Sequence, residues 1–252
     1  MVTPHSVTAI ILCGGMGTRL HAITKDQTAK PMVDVAGKPF LQYLLDYCLS
    51  QGITQVVMAV GHHRDVIMAH FGHHYGKLSI EYSIEESPLG TGGALKQAMQ
   101  QPLAQTADLI LALNGDSFIA YDLNTMTALL DDHHAQLVMA LRPLENTGRY
   151  GRVTMDADQK LTGFEEKKGG CPGTINSGVY LLRSSLIESL PSASVFSFET
   201  DFLEKEIGTA PFYGSLVSSY FIDIGTPSDY KQAQTDFVSK IYNQQILPSA
   251  LN

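Results

Sequence analysis

The strongest constraint on this chain lies near its start, where Val7-Thr-Ala-Ile-Ile-Leu12 runs straight into Cys13-Gly-Gly-Met-Gly-Thr-Arg-Leu20. A short apolar run with no polar face suits a strand buried on both sides, which favours a parallel sheet covered by helices. The glycines that follow let backbone approach an anionic ligand closely. A tight strand-to-helix turn uses the same glycines, and Arg19 tilts the choice toward phosphate. A dinucleotide fold wants an acid about 20 residues on, at the end of the second strand, to hold a ribose. Here that strand ends Met58-Ala-Val-Gly61. A P-loop wants Gly-Lys-Ser or Gly-Lys-Thr; Lys25 and then Ala29-Lys30-Pro31-Met32 follow instead, so Lys30 is a second cation shortly after Arg19.

The alternation continues down the chain. Phe40, Leu41, Leu44, Leu45, Cys48 and Leu49 recur at helical spacing with Gly52 as a stop, and Gln55 to Val60 supplies a second buried strand. The pattern predicts a helix near Arg64 to Phe71, a strand from Leu78 to Ile84, a helix from Gly93 to Met99 and a strand from Leu109 to Leu113. A helix from Leu123 to Asp132 then leads to a strand from Leu137 to Leu141. That order predicts an α/β fold with a Rossmann-like, mainly parallel sheet flanked by helices. From Gly148 the signals shorten, at Val153 to Met155 and Thr174 to Leu182, which predicts antiparallel additions in the second half and a closing helix near Ser228 to Tyr242. The expectation is a single domain over residues 1–252, with a nucleotide-binding core over about 1–141 and an acceptor part over about 142–252. No internal repeat, linker or hexapeptide-repeat tail is visible.

With 44% hydrophobic and 17% charged residues the chain buries a full core, so disorder is excluded. A net charge of −8 offers no broad basic surface, which argues against nucleic acid as a partner. Cys13, Cys48 and Cys171 are scattered without zinc or disulfide spacing, as in a reducing compartment. Met1 to Ser6 carry no basic stretch, and the apolar run after them is far shorter than the roughly 18 residues of a membrane span. The expectation is a soluble cytoplasmic protein without a membrane partner, with homo-oligomerisation left open. Adjacent histidines at 62–63, 73–74 and 133–134 point apart on regular elements and are expected at the surface rather than on a shared metal. Burial against the strand is the simpler account of Cys13.

Asp116 follows an apolar strand and should sit at the C-terminal edge of the sheet, where open α/β sheets bind ligands. Asp223 ends the apolar Tyr220-Phe-Ile222 in the same way, although either aspartate alone also suits a loop cap. Five segments, the glycine-rich loop with Arg19, Lys30-Pro31, Glu85-Glu-Ser-Pro-Leu-Gly-Thr-Gly-Gly93, Asn114-Gly-Asp116 and Asp223-Ile-Gly-Thr-Pro227, occur in the order and approximate spacing of the sugar-1-phosphate nucleotidyltransferases. The chain resembles that family over nearly its whole length.

The resemblance implies an enzyme that transfers a nucleoside monophosphate from a triphosphate to a sugar 1-phosphate and releases pyrophosphate. It implies Arg19 and Lys30 as catalytic cations, Asp116 and Asp223 around one Mg²⁺, and a nucleotide site of Leu12, Gly14, Gly15, Gly17, Thr18, Glu85, Gly90 and Thr91. It further implies a sugar site of Asn114, Tyr150, Gly151, Glu165, Lys167 and Asn176, with Lys168 a rival to Lys167. The attacking phosphate is already ionised at neutral pH, so no general base is required. Resemblance places Glu85 at the nucleobase edge. A carboxylate accepts but cannot donate, which favours the adjacent donors of guanine and hence GTP over uracil or thymine triphosphates.

Gly37-Lys-Pro-Phe40, the segment Tyr82 to Gly93, and Phe196-Ser-Phe-Glu-Thr-Asp-Phe-Leu-Glu-Lys205 are similar to the family's branch acting on D-glycero-D-manno-heptose 1-phosphate. That branch implies GDP-heptose for bacterial surface glycans such as lipopolysaccharide or capsule. Mannose 1-phosphate is the neighbouring alternative, because one hydroxymethyl group is a small handle. Uridylyl or thymidylyl transfer to another hexose phosphate also stays open. Ala29 stands where the family has proline, and His21-Ala22 where it has a basic-proline pair; neither removes a charged group, so activity is expected to be retained. A nucleotide-sensing module without catalysis is disfavoured by Arg19, Lys30, Asp116 and Asp223 together.

Overall fold

The run Val7–Leu12 forms a strand, β1, in the computed structural model, which describes residues 5–17, 20–24, 28–165 and 170–241. Parallel strands flank β1 on both sides, and Ala9, Ile10 and Ile11 are fully buried. Helix α1 (His21–Thr24) and a small hairpin of β2 (Asp34–Val35) and β3 (Lys38–Pro39) lead into α2 (Phe40–Ser50). Then come β4 (Gln55–Val60), α3 (Arg64–Phe71), β5 (His74–Tyr75), β6 (Leu78–Ile84), α4 (Gly90–Ala98), α5 (Pro102–Gln105) and β7 (Leu109–Asn114). β7 and β4 lie on either side of β1, and β6 lies beyond β4, all parallel.

Alternate residues of these strands serve opposite faces, as a period of two requires. Ala9, Ile11, Val56, Met58, Leu109 and Leu111 join the core under α2, α3 and α6. Ile10, Val57, Ala59, Ile110 and Ala112 join a second core under α4 and α5.

The second half comprises β8 (Ser117–Ile119), α6 (Leu123–Asp132), β9 (Leu137–Leu144), β10 (Arg152–Met155), β11 (Leu161–Glu165), β12 (Gly173–Arg183), α7 (Glu204–Glu206), β13 (Phe212–Leu216), β14 (Phe221–Asp223) and α8 (Pro227–Asp236). The eleven-residue β12 joins the halves. Its C-terminal part runs antiparallel to β7, from Val179 opposite Leu113 to Arg183 opposite Leu109, while its N-terminal part pairs with β9 and β10. The register breaks between Asn176 and Tyr180, where Gly178 takes a left-handed φ of 79°. One ten-stranded sheet results.

The structure corrects two expectations about elements. β13 pairs with β9 in parallel, so the additions are not all antiparallel. The closing helix ends at Asp236 and continues as a wider turn over Phe237–Ile241, so it is shorter than the pattern predicted; Tyr242 lies outside the described residues. Among the described residues no helix is long and apolar enough to cross a membrane.

Candidate active site

At the C-terminal end of β1 the chain turns between its neighbours: the Cys13 amide donates to Ala59 O at 2.7 Å, and the Gly115 amide to Leu12 O at 3.0 Å. The glycine loop, Lys30, Glu85 and the start of α4 enclose a cavity of about 390 Å³. Leu12, Gly14, Gly15, Gly17, Glu85, Gly90 and Thr91 all line it, together with Asn114 and Asp116. A Cβ at Gly14 would displace the Glu85 carboxylate, so glycine there leaves that carboxylate its place. Glu85 accepts from the Leu89 amide at 3.2 Å, and burial pushes its pKa above the ordinary value, against the pull of that amide. Thr18 and Arg19 lie outside the described residues.

The glycines at the start of α4 serve packing. The backbone of Phe196 accepts from the amides of Gly92 and Gly93 at 3.1 and 3.3 Å, and a Cβ on Gly92 would collide with the Phe196 ring. These amides are therefore engaged within the protein, although Gly90 and Thr91 still face the cavity. The helix begins at Gly90, three residues earlier than the expected Gly93.

Asp116 and Asp223 come together because β8 and β14, each of three residues, pair antiparallel, with Asp223 opposite Ser117. The Ile224 amide extends this pairing by donating to Asp116 O at 2.9 Å. Lys30 leaves a short helical turn, Lys30–Met32, and is buried to 9% exposure. Its Nζ lies 2.5 Å from Asp116 Oδ2 and 3.8 Å from Asp223 Oδ1. Asp223 also accepts from the Gly225 amide at 2.7 Å. Burial and then the charge of Asp116 hold the Asp223 pKa above the usual carboxylate value, opposed by Lys30, the Gly225 amide and Arg149. Such a carboxylate favours a cation beside it.

A second cavity, of about 440 Å³, opens on the other side of Asp116. Thr91, Asn114 and Asp116 are common to both. Tyr150, Gly151 and Asn176 line the second cavity, as does Asp223. Burial and the Asp223 charge push the Tyr150 hydroxyl up to about 12, so it enters as a neutral donor. Asn176 is fixed at both ends: Oδ1 accepts from the Gly178 amide at 2.9 Å, and Nδ2 donates to Tyr180 Oη at 2.7 Å.

Glu165 does not line either cavity: its carboxylate is exposed on β11 and pairs with Arg152 at 2.6 Å across the β10–β11 ladder. Lys167 and Lys168 lie outside the described residues. Two charged residues of the second cavity escaped the sequence pattern. Arg149 pairs with Asp229 at 2.6 Å and lies 3.5 Å from Asp223, and Glu199 accepts from the Thr91 hydroxyl of α4 at 2.5 Å. Arg149 directly precedes the Tyr150-Gly151 pair, and Glu199 lies inside the Phe196–Lys205 stretch.

Cys13 is buried, and burial with the charges of Asp116 and Glu85 drives its pKa far up, which disfavours the reactive thiolate. His62 and His63 depart from the rule that neighbours point apart: His63 takes a left-handed φ of 56°, which brings the two rings to 3.9 Å. Among the described residues no group of three or more His, Cys, Asp or Glu forms a metal cluster.

A glycine loop at the end of a parallel strand, with a buried lysine and two aspartates gathered beside it from neighbouring elements, is the site of a nucleotide-handling enzyme. The nucleotidyl transferase family model matches residues 8–240, and the chain belongs to that family. It is 41% identical to the D-glycero-alpha-D-manno-heptose 1-phosphate guanylyltransferase of Aneurinibacillus thermoaerophilus, over 90% of this chain and 97% of that one. The protein of the same description from Campylobacter jejuni is 38% identical, over 88% of this chain and 96% of its own length. Among solved structures, HddC from Yersinia pseudotuberculosis complexed with GMP-PN superposes with a TM-score of 0.78 at 35% identity, covering 91% of this chain and 99% of that one.

Proposed function

We propose that this protein transfers GMP from GTP to D-glycero-D-manno-heptose 1-phosphate, giving GDP-heptose and pyrophosphate. The observation that carries the proposal is the meeting of two cavities at Asp116, with Lys30 and Asp223 at the junction. One cavity takes the nucleotide and the other the sugar phosphate, so the sugar phosphate oxygen approaches the α-phosphorus across the junction. The relatives' own description favours the heptose acceptor over mannose.

Glu85 reads the base: guanine N1–H and its exocyclic amine are adjacent donors for one carboxylate, whereas uracil and thymine offer a single donor between two acceptors. The nucleophile arrives ionised, and no histidine lines either cavity among the described residues. The obstacle is the accumulation of negative charge, which Lys30, together with Arg19, offsets in the transition state. Asp116 and Asp223 fit a magnesium ion, since they are two carboxylates beside one another, one of them held above its ordinary pKa by burial and then by the other's charge. That ion, when bound, supplies charge stabilisation at phosphate oxygens. Tyr150, Gly151, Asn114 and Asn176 contact the acceptor, and Lys167 its phosphate. The enzyme acts in the cytoplasm as one functional domain, and its product feeds bacterial surface glycans.

The test is pyrophosphate release with Mg²⁺, crossing GTP, ATP, CTP, UTP and dTTP with heptose, mannose, glucose and N-acetylglucosamine 1-phosphates. Turnover is expected to be highest for GTP with the heptose phosphate. A preference for mannose 1-phosphate would replace the acceptor, and a preference for UTP or dTTP would remove Glu85 from base recognition.

A further inference from the structure

The acceptor cavity contains a carboxylate that the transfer chemistry does not use. Glu199 sits in a wide helical turn, Phe198–Leu203, and lines the second cavity. Its Oε2 accepts from Thr91 Oγ1 at 2.5 Å and from Ser197 Oγ at 3.1 Å, whereas Oε1 accepts from Tyr180 Oη at 3.3 Å. All three donors are neutral hydroxyls. The basic side chain of this cavity, Arg149, is engaged with Asp229 and Asp223 instead.

A purely mechanical role does not account for this carboxylate. The 196–198 segment is already tied to α4 by the Gly92 and Gly93 amides on Phe196 O, the Phe196 amide on Leu89 O at 3.0 Å, and the Phe198 amide on Thr91 Oγ1 at 2.9 Å. Drawing an anion out of bulk water into such a wall is unfavourable unless something is gained in return. An ionised carboxylate offers about four acceptor positions, and Oε1 here holds one long bond, so acceptor capacity remains on the cavity side. The sign of the charge also orients a ligand. A sugar phosphate is repelled from Glu199 at its phosphate and attracted at its hydroxyls, which sends the phosphate toward Lys30 and the polyol toward Glu199.

We propose that Glu199 is a specificity-determining residue that reads the acceptor sugar, with Oε1 accepting a hydrogen bond from a pyranose hydroxyl. The chain Glu199–Tyr180–Asn176 aligns acceptor and donor groups along that wall. The inference rests on the second cavity being the acceptor site, and not on which sugar fills it.

The test is calorimetric binding of mannose 1-phosphate and its monodeoxy analogues to wild type, Glu199→Gln and Thr91→Val, which needs no turnover. Glu199→Gln is expected to weaken the parent sugar phosphate by at least about tenfold, the scale of one hydrogen bond to a charged group. One deoxy analogue should bind wild type weakly yet lose little further in Glu199→Gln, while GTP affinity stays within about twofold. Thr91→Val, which cuts the link to α4 but keeps the carboxylate, should preserve the discrimination between analogues. Equal losses for every analogue, or a Thr91→Val profile identical to that of Glu199→Gln, would assign Glu199 to fastening the segment and overturn the proposal. Sugar phosphate binding equal in wild type and Glu199→Gln would overturn it too. If no sugar phosphate binds at all, both this proposal and the acceptor reading fall; if mannose 1-phosphate binds but the heptose phosphate does not turn over, only the choice of acceptor falls.

Discussion

Lys30, buried and 2.5 Å from Asp116, sits where charge must be controlled for two polyanions to meet. Lys30→Ala and Asp116→Asn should each lower turnover by at least about a hundredfold in steady-state assays while circular dichroism stays native, the scale of losing one charge-stabilising contact. Asp223 separates function from stability. Its raised pKa means that the fold opposes its ionised form, so the charged carboxylate lowers stability relative to a neutral side chain of the same shape. Asp223→Asn should then melt in chelator at or above the wild-type temperature and still be nearly inactive; a lower melting temperature would show that its contacts with Lys30 and Arg149 dominate. For Glu85, burial raises the pKa, so the proton is retained to a higher pH than for an ordinary Glu near 4.5. Guanine binding needs the ionised form. The KM for GTP should therefore climb as pH falls through that raised value, and Glu85→Gln should abolish both the climb and the preference for GTP over UTP. Lys30, Asp116 and Glu85 were legible because each follows a glycine loop or the end of an apolar strand. Arg149 and Glu199 follow neither, and their place is set by pairing with Asp229 and Thr91. Glu165 illustrates the converse, since Arg152 across the ladder engages a carboxylate that motif resemblance assigned to the sugar.

Between elements, the decisive contacts are glycine-sized. Helix α4 meets the Phe196 segment through Gly90, Gly92 and Gly93, and Gly90 takes a φ of 73° with Phe196 O only 2.5 Å from where a Cβ would sit. Phe196 is buried, so its ring has little room to yield. Gly92→Ala should cost about 1–3 kcal/mol in chemical denaturation, the range for overpacking; an unchanged midpoint would mean that the segment moves freely. Long elements were legible at this scale because burial imposes a period on them: β1, β4, α3, β6 and α6 fall where the apolar pattern predicted. The pairs β2–β3 and β8–β14 were not, because strands of two or three residues carry no period and exist only through their partners. That blind spot matters, since β8–β14 is what carries Asp223 to Asp116.

For the molecule as a whole, insertion of β12 beside β7 makes the second half a continuation of the first sheet, and so lays the acceptor cavity against the nucleotide cavity. The mainly parallel α/β sheet could be read from the order of elements, whereas the parallel β9–β13 pair could not, because an apolar strand's pattern does not encode the direction of its partner. The central claim is that the two cavities join their ligands by transfer at Asp116. Its most direct measurement is phosphorus NMR of the wild-type protein with GTP, Mg²⁺ and D-glycero-D-manno-heptose 1-phosphate, beside Asp116→Asn. The account predicts GDP-heptose and pyrophosphate in equal amounts for wild type and almost none for the variant. Bound GTP that stays intact, or GTP that breaks down to GDP and inorganic phosphate without a sugar product, would contradict it.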